Sequence, residues 1–288
     1  MRSRLPRPRA HPIDRRTSAS KNAVQSVERV IVLLNALGRA GRPLSARELS
    51  AAASLPRPTV YRLMHTLSGH GMIAAADGRF VIGPRVLWLA GQRLEQIELR
   101  AAGRPVLLEL RDRTGETVHL GVLEQGQVVY IDKTEAPGPM RMASAIGKIM
   151  PAHSTALGKA MLAHLTTDRV THILDLWGMA RRTPHTITDR RKFLTELAVI
   201  RARGYAIDNV ENEDGVRCVA APIFDHRGVV SGAMSLSGST RTITLARVRR
   251  SLGPLVRGAA ARISRAVGWS GSFPSGEEEP EWQRRSRT

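Results

Sequence analysis

The segment from Pro43 to Gly83 constrains the fold of this chain more than any other, because two short helices and a hairpin follow one another in it. Ser45 and Glu48 have the spacing of a capping box, which predicts that a helix starts directly after Ser45. Pro56 and Pro58 suit the first turn of a second helix, where a missing N–H costs little. The segment therefore predicts a helix-turn-helix.

The second helix has one apolar stripe with the i, i+3, i+4, i+7 spacing of a buried face, formed by Val60, Leu63, Met64 and Leu67. The residues left on its other face are of types that donate to phosphates or base edges when a helix N-terminus enters the major groove. They are Arg57, Thr59, Tyr61, Arg62 and His65. Asp77-Gly78 between apolar residues then predicts a hairpin, the wing, on which Arg79 adds a phosphate contact.

A preceding amphipathic helix is predicted to close a small three-helix core. Its apolar residues are Val27, Val30, Ile31, Leu34 and Leu37. A helix-turn-helix followed by a wing favours binding of double-stranded DNA over a mere interaction module. The winged helix is expected to occupy residues 23–84.

Composition agrees with a polyanion partner. The 288 residues carry a formal charge of +19, which predicts salt-sensitive attraction to nucleic acids but does not separate DNA from RNA or a membrane surface. Aromatic residues make up 4% of the chain, which argues against a stacking platform for single strands. Cys218 is the single cysteine, so no internal disulfide can form, and a cytoplasmic location is expected.

Both ends have compositions that cannot build a core. We expect a disordered basic arm over residues 1–22 and a disordered tail over residues 269–288. Arg15-Arg16 fits a twin-arginine export signal, but Lys21 and Glu28 stand where its apolar core should begin. No window reaches the roughly 18 apolar residues that span a bilayer, so neither export nor membrane insertion is expected.

The rest of the chain predicts a linker helix over residues 85–104, a break at Gly103–Pro105, and an α+β domain over residues 105–268 with a mainly antiparallel sheet. The predicted helices cover residues 105–113, 155–164, 189–203 and 245–267. The predicted strands cover residues 117–123, 128–133, 205–209, 217–223 and 229–237, with further apolar segments at 140–146 and 148–151.

Three motifs, at Leu55–Leu63, Pro151–Ala160 and Gly204–Pro222, together with Met234–Gly238, resemble the IclR family of bacterial transcriptional regulators. The likeness runs from Asn22 to about Val267. It implies an N-terminal winged helix and a GAF-like α/β effector-binding domain that takes a small molecule, often a carboxylic or aromatic acid. It also implies homodimers or homotetramers on DNA, and the symmetry of a dimer on a promoter palindrome sets half-sites roughly 34 Å apart. We expect a ligand-responsive regulator that acts as a repressor or has a dual role, without a cofactor.

One departure from the family concerns Pro58, since many relatives have a hydroxyl residue there. Proline offers neither an amide N–H nor a hydroxyl to a phosphate. Arg57 and Thr59 would then have to make that anchoring contact.

The resemblance also implies which residues line the effector pocket. They are Ala156, Leu157, Asp208, Cys218, Ser235 and Ser237. From the residues themselves, Ser154 or Thr155 opens a helix whose first amides attract an anion, and Gly158 permits close approach. Apolar walls are expected from Leu120, Tyr130, Met142, Met150 and Met234.

Other interpretations stay open. Each of these residues can be an ordinary core or capping residue. An enzyme would use Cys218 as nucleophile, His153 as base and Asp208 to orient it. Zinc binding lacks any paired Cys or His spacing, so no metal is expected. An architectural DNA-binding protein without an effector would make the long α+β domain superfluous.

Overall fold

The computed structural model describes residues 24–95, 98–137 and 143–271, and the chain divides into two compact units between residues 96 and 97. The predicted basic arm and most of the predicted tail lie outside the described residues. Trp269, assigned above to the tail, instead stacks on Phe224 of the second unit, with 5.1 Å between ring centroids.

The first unit is a helix-turn-helix with a wing. Its helices are α1 (Gln25–Ala40), α2 (Ala46–Ala53) and α3 (Arg57–Gly69), and its strands are β1 (Leu44–Ser45), β2 (Ile73–Ala76) and β3 (Arg79–Ile82). The predicted capping box is present at the start of α2. The wing turns at Asp77 and Gly78, whose φ values of 52° and 70° are those of a tight hairpin turn. The strands pair antiparallel in the order β1-β3-β2.

The core of this unit differs from the prediction on α1. Leu33 and Leu37 are buried there, whereas Val27 and Ile31 are 53% and 50% exposed. The prediction that Val27 and Ile31 close the core was wrong, because the helix is turned so that the stripe through Leu33 and Leu37 faces inward. The stripe on α3 is confirmed: Val60, Met64 and Leu67 are buried and Leu63 packs against them.

Helix α4 (Pro84–Glu95) follows the wing, and α5 (Glu98–Thr114) opens the second unit. The predicted break at Gly103–Pro105 was wrong, because Pro105 lies inside α5. Proline removes the hydrogen bond to the carbonyl of Ala101. Both Pro105 and Ala101 are exposed, so water can satisfy that carbonyl. Gly103 is the close-packed position, since an added Cβ would lie 2.8 Å from the Leu120 side chain.

The second unit contains one six-stranded antiparallel sheet. Its strands are β4 (Thr117–Glu124), β5 (Gln127–Thr134), β6 (Ile149–Pro151), β7 (Ala206–Asn209), β8 (Val216–Phe224) and β9 (Val230–Ser239), and their order is β6-β5-β4-β9-β8-β7. The α+β fold and the mainly antiparallel sheet are therefore confirmed.

Helices cover both faces of this sheet. The remaining ones are α6 (Ala156–Leu162), α7 (Thr167–Trp177), α8 (Arg190–Arg203), α9 (Leu245–Arg247) and, after a π turn at Val248–Leu252, α10 (Gly253–Ala266). Leu120 meets α5 at Gly103, whereas the next residue, Gly121, meets Leu157 of α6. Since successive strand residues face opposite ways, α5 and α6 lie on opposite faces of the sheet.

The pairing of β4 with β5 contains a bulge. Leu120 is opposite Asp132 and Gly121 is opposite Tyr130, so Ile131 has no partner of its own. Tyr130 consequently lies on the α6 side, while Asp132 binds Arg104 of α5 with an Nη1 to Oδ1 distance of 2.9 Å.

Candidate functional site

The outer face of α3 presents the predicted DNA-contacting residues. Arg57, Tyr61, Arg62 and His65 are exposed and Thr59 is half-buried. Pro56 is the N-cap and Pro58 lies in the first turn, so the first-turn amides at this end come from the residues beside Pro58. The arrangement leaves cationic and hydrogen-bonding groups free to meet a polyanion.

Arg79 lies at the start of β3, beside the capping box. Its Nη1 is 3.5 Å from the Glu48 carboxylate and 3.4 Å from the carbonyl oxygen of Pro43. Hydrogen bonds from the Ser45 amide and hydroxyl, together with Arg42, lower the pKa of Glu48 to about 2. Arg79 thus remains half-exposed with one side engaged by its own domain.

The second unit has a cavity of about 500 Å³, counting the space at its open mouth. All six residues that the resemblance implied line it: Ala156, Leu157, Asp208, Cys218, Ser235 and Ser237. Sequence reasoning missed His119, Ser144, Lys148, Asn212, Glu213 and Val216, which also line it, and it treated Thr155 only as a helix start.

Strand register brings the polar residues together. Asp208 is opposite Cys218, and Cys218 is opposite Ser237, so three neighbouring strands place one residue each in a row. Ser235 and its partner His119 lie on the same face, one pleat further along. The cavity floor is therefore a row of polar side chains on the α6 face of the sheet.

Asp208 is a buried carboxyl whose Oδ1 accepts from the amides of Glu211 at 2.7 Å and Asn212 at 3.3 Å. Burial raises its pKa to about 7, against the opposing effect of Lys159 and with a further rise from Glu211. Lys159 is itself buried and forms an ion pair with Glu211 at 2.5 Å. A group of this pKa exchanges a proton near neutral pH.

His119 is held in the cavity wall by contacts on both ring nitrogens. Its Nε2 is 2.8 Å from the Ser144 hydroxyl, its Nδ1 is 3.3 Å from the Ser237 hydroxyl, and its ring stacks on Tyr130 at 4.8 Å. Burial, followed by the charges of Lys133 and Lys148, lowers its pKa to about 3. The imidazole is therefore neutral at physiological pH.

The expected apolar walls are present in part. Tyr130 and Met150 line the cavity. The predictions for Leu120 and Met234 were wrong, because these two residues are partners in register and lie on the α5 face of the sheet. Met142 lies outside the described residues.

The first turn of α6 closes one end of the cavity. Thr155 is the N-cap, and its hydroxyl accepts from the Gly158 amide at 3.2 Å and donates to the Pro151 carbonyl at 2.8 Å. A Cβ on Gly158 would lie 2.2 Å from the Ala152 carbonyl oxygen. Gly158 therefore permits close approach of the backbone, with Ala156 and Leu157 left at the cavity.

The arrangement does not support the enzyme alternative. The Nε2–H of His153 donates to the carbonyl oxygen of Ala180 at 3.1 Å, and His153 is not among the cavity-lining residues. Burial raises the pKa of the Cys218 thiol, which disfavours the nucleophilic thiolate. Within residues 24–95, 98–137 and 143–271, no group of three or more His, Cys, Asp and Glu side chains could hold a metal ion.

In the part of the chain that the structure describes, no helix is long and apolar enough to cross a membrane.

Comparisons with known proteins agree on one family. The model of the bacterial transcriptional regulator IclR C-terminal domain matches residues 91–265, and the model of the IclR helix-turn-helix domain matches residues 26–76. The HTH-type transcriptional regulator XynR of Escherichia coli is 34% identical over 251 residues, covering 85% of this chain and 98% of XynR. The transcriptional repressor IclR of Escherichia coli is 33% identical over 256 residues, covering 88% and 93%.

Among solved structures, an IclR homologue complexed with 4-hydroxybenzoate from Microbacterium hydrocarbonoxydans has a TM-score of 0.74. It is 23% identical, with 84% of this chain and 98% of that chain covered. At this identity the likeness concerns the fold.

Proposed function

Because this chain belongs to the IclR family of DNA-binding transcriptional regulators, whose C-terminal domain binds an effector, we propose that it is a repressor relieved by a small organic acid. The family consists of regulators and not of enzymes. Repression is supported by the likeness to a relative that is itself named a transcriptional repressor.

The recognition surface of this proposal is the outer face of α3. The side chains that contact a half-site are Arg57, Thr59, Tyr61, Arg62 and His65. Four of these side chains are exposed and Thr59 is half-buried, and this, together with the N–H groups at the start of a helix, supports the role. Arg79 and the basic arm, residues 1–22, add phosphate contacts, and the protein binds a promoter palindrome as a homodimer or homotetramer.

The observation that carries the effector proposal is the meeting of six expected residues around one cavity. They come from four separate elements, α6, β7, β8 and β9, so chain proximity alone does not explain their meeting. The cavity offers hydroxyls of Ser235 and Ser237 and the first-turn amides of α6, with Lys148 among its lining residues. These groups suit the carboxylate of a small acid.

Asp208 determines which kind of acid fits. A carboxylate next to an ionised Asp208 would be repelled, whereas a protonated Asp208 donates a hydrogen bond to it. The pKa of about 7 makes the protonated form accessible at neutral pH. We therefore assign the cavity to a monocarboxylic acid, aliphatic or aromatic, that binds with Asp208 protonated.

Relief of repression requires that the acid bind the DNA-competent and DNA-incompetent arrangements with different affinity. The test is a footprinting titration of the full chain on its own upstream region, without acid and with 4-hydroxybenzoate or lactate. The amides 4-hydroxybenzamide and lactamide serve as neutral controls of the same shape. We expect a dyad-related footprint that an acid weakens and its amide does not.

Two variants separate the parts of the proposal. Arg62→Ala is expected to weaken binding to the palindrome by roughly 1–3 kcal/mol while acid binding is retained. Ser237→Ala is expected to keep the footprint and lose the response to the acid. The absence of any dyad-related protection would refute the regulator, and a footprint that no acid alters would favour the architectural role.

A further inference from the structure

The end of the second unit is unusually one-sided in charge. Between His226 and Gly271 the sequence contains eight arginines and no lysine, aspartate or glutamate. The eight are Arg227, Arg241, Arg247, Arg249, Arg250, Arg257, Arg262 and Arg265.

Some of these arginines are engaged by acidic residues elsewhere in the fold. Arg247 binds Glu116 at 2.7 Å, and Arg262 binds Glu109 at 2.7 Å. Four others are exposed, and among the described residues none of the four forms an ion pair. They are Arg241, Arg249, Arg250 and Arg265. We call these four, with the outer side of α10 between them, the C-terminal arginine face.

The shape of this face suits a long anion. Arg265 lies 15 positions after Arg250, which is about 22 Å along a helix at 1.5 Å per residue. Between them lie the small residues Pro254 and Gly258, which are exposed, and Ala261, which is half-buried, and a Cβ added at Gly258 would meet nothing within 4 Å. Because these residues between the arginines are small, no side chain there blocks the approach of an anionic polymer backbone.

The composition of the face narrows the partner. Residues 241–266 contain no aromatic side chain, which leaves no platform for stacking the bases of a single strand. None of the large apolar side chains that the structure exposes falls within this range, so a hydrophobic protein or membrane partner is not favoured. The face is therefore best suited to a partner with several phosphates, since arginine binds phosphate oxygens.

We propose that the C-terminal arginine face is a second contact to the sugar-phosphate backbone of double-stranded DNA, independent of base sequence and separate from the recognition helix. Such a contact adds affinity without adding base readout. It makes the second unit a direct participant in DNA binding.

The test uses the full chain and a 60-base-pair duplex without a palindrome, with the dissociation constant measured at several salt concentrations. The face variant is Arg249→Gln, Arg250→Gln and Arg265→Gln in one chain. The control removes the same charge from exposed positions on α7 and α8, as Arg169→Gln, Arg191→Gln and Lys192→Gln. A lysine version, Arg249→Lys, Arg250→Lys and Arg265→Lys, restores charge at the face.

Each phosphate contact contributes about 0.9 to the slope of log K against log salt. We expect the face variant to reduce this slope by about 2 to 3, the control to leave it within error, and the lysine version to recover most of it. Equal losses in face variant and control would reduce the effect to net charge and overturn the proposal. If the face variant reduced the slope only with a single-stranded RNA of equal length, the proposal would be overturned in favour of that partner. An unchanged slope with both nucleic acids would overturn it outright.

Discussion

Replacing Asp208 with asparagine isolates the free-energy cost of a buried carboxylate at the effector cavity. The side chain is 2% exposed, and its Oδ1 accepts from the backbone amides of Glu211 and Asn212. Asparagine keeps this oxygen and the shape of the side chain but has no charge at any pH. The difference in unfolding free energy between the wild type and Asp208→Asn therefore reports the ionisation of one group.

The sign follows from the direction of the pKa change. Burial raises the pKa of Asp208 from 3.8 to about 7, so the native state binds this proton more tightly than the unfolded state. Stability relative to asparagine is then lost as pH rises from the unfolded to the native pKa. Three pKa units correspond to about 4 kcal/mol in total, and about 2 to 3 kcal/mol of this loss falls between pH 5 and pH 8.

Amide hydrogen exchange of β8 and β9 measures this difference within the second unit alone, because the slowest amides exchange through its global unfolding. Asp225→Asn is the control: the Arg227 side chain lowers the pKa of Asp225, so Asp225 stays ionised over the same pH range and its difference should not change. A difference for Asp208→Asn that is flat with pH, or that favours the wild type as pH rises, would refute the reasoning. In that case the charge of Lys159 would outweigh burial.

Two further predictions concern packing and charge in the second unit. Gly158→Ala places a Cβ 2.2 Å from the Ala152 carbonyl oxygen and should lower the free energy of unfolding by about 3 kcal/mol or more. Gly258→Ala has free space within α10 and should raise the free energy of unfolding by about 0.5–1 kcal/mol. Thermal unfolding of both variants compares them, and equal effects would contradict the close approach at Gly158. Lys159→Met leaves Glu211 without its partner and should cost about 3–5 kcal/mol at neutral pH, less at pH 5 because Glu211, whose pKa burial raises, then takes up a proton. Urea unfolding of Lys159→Met with and without Glu211→Gln measures this, and a double variant no more stable than Lys159→Met would argue against the pair.

Local chemistry in the sequence was enough to predict much of the fold. The capping box at Ser45 and Glu48 and the turn at Asp77-Gly78 depend on neighbouring residues only, and both are present in the structure. Helix α7 was missed even though Thr166 caps it, with the Thr166 hydroxyl accepting from the Arg169 amide. The segment contains apolar residues at helical spacing, but it carries no recognisable motif.

Errors arose where orientation depends on the rest of the fold. Val27 and Ile31 belong to an apolar helix face that the sequence cannot distinguish from the buried one through Leu33. Whether Pro105 ends or is accommodated in a helix depends on the exposure of the carbonyl it leaves unpaired. Such outcomes are decided by tertiary packing, which local patterns do not encode.

Only those cavity residues that belong to a recognisable sequence motif could be predicted. Its polar row through Asp208, Cys218 and Ser237 followed from the resemblance, whereas His119 and Lys148 come from segments without any recognisable motif. Strand register brings His119 beside Ser235, and register between distant strands cannot be read from one sequence alone.

Ile131 is the extra residue of the bulge in β5 and has no partner of its own in β4. On one side of it Tyr130 contacts the ring of His119, and on the other Asp132 anchors the arginines of α5. Deleting that single residue would leave Tyr130 and Asp132 adjacent on a regular strand, where they would still face opposite sides of the sheet and keep their partners in β4. A one-residue deletion should accordingly be tolerated better at this position than at regularly paired positions of the strand, where it would turn the side chains beyond it to the other face.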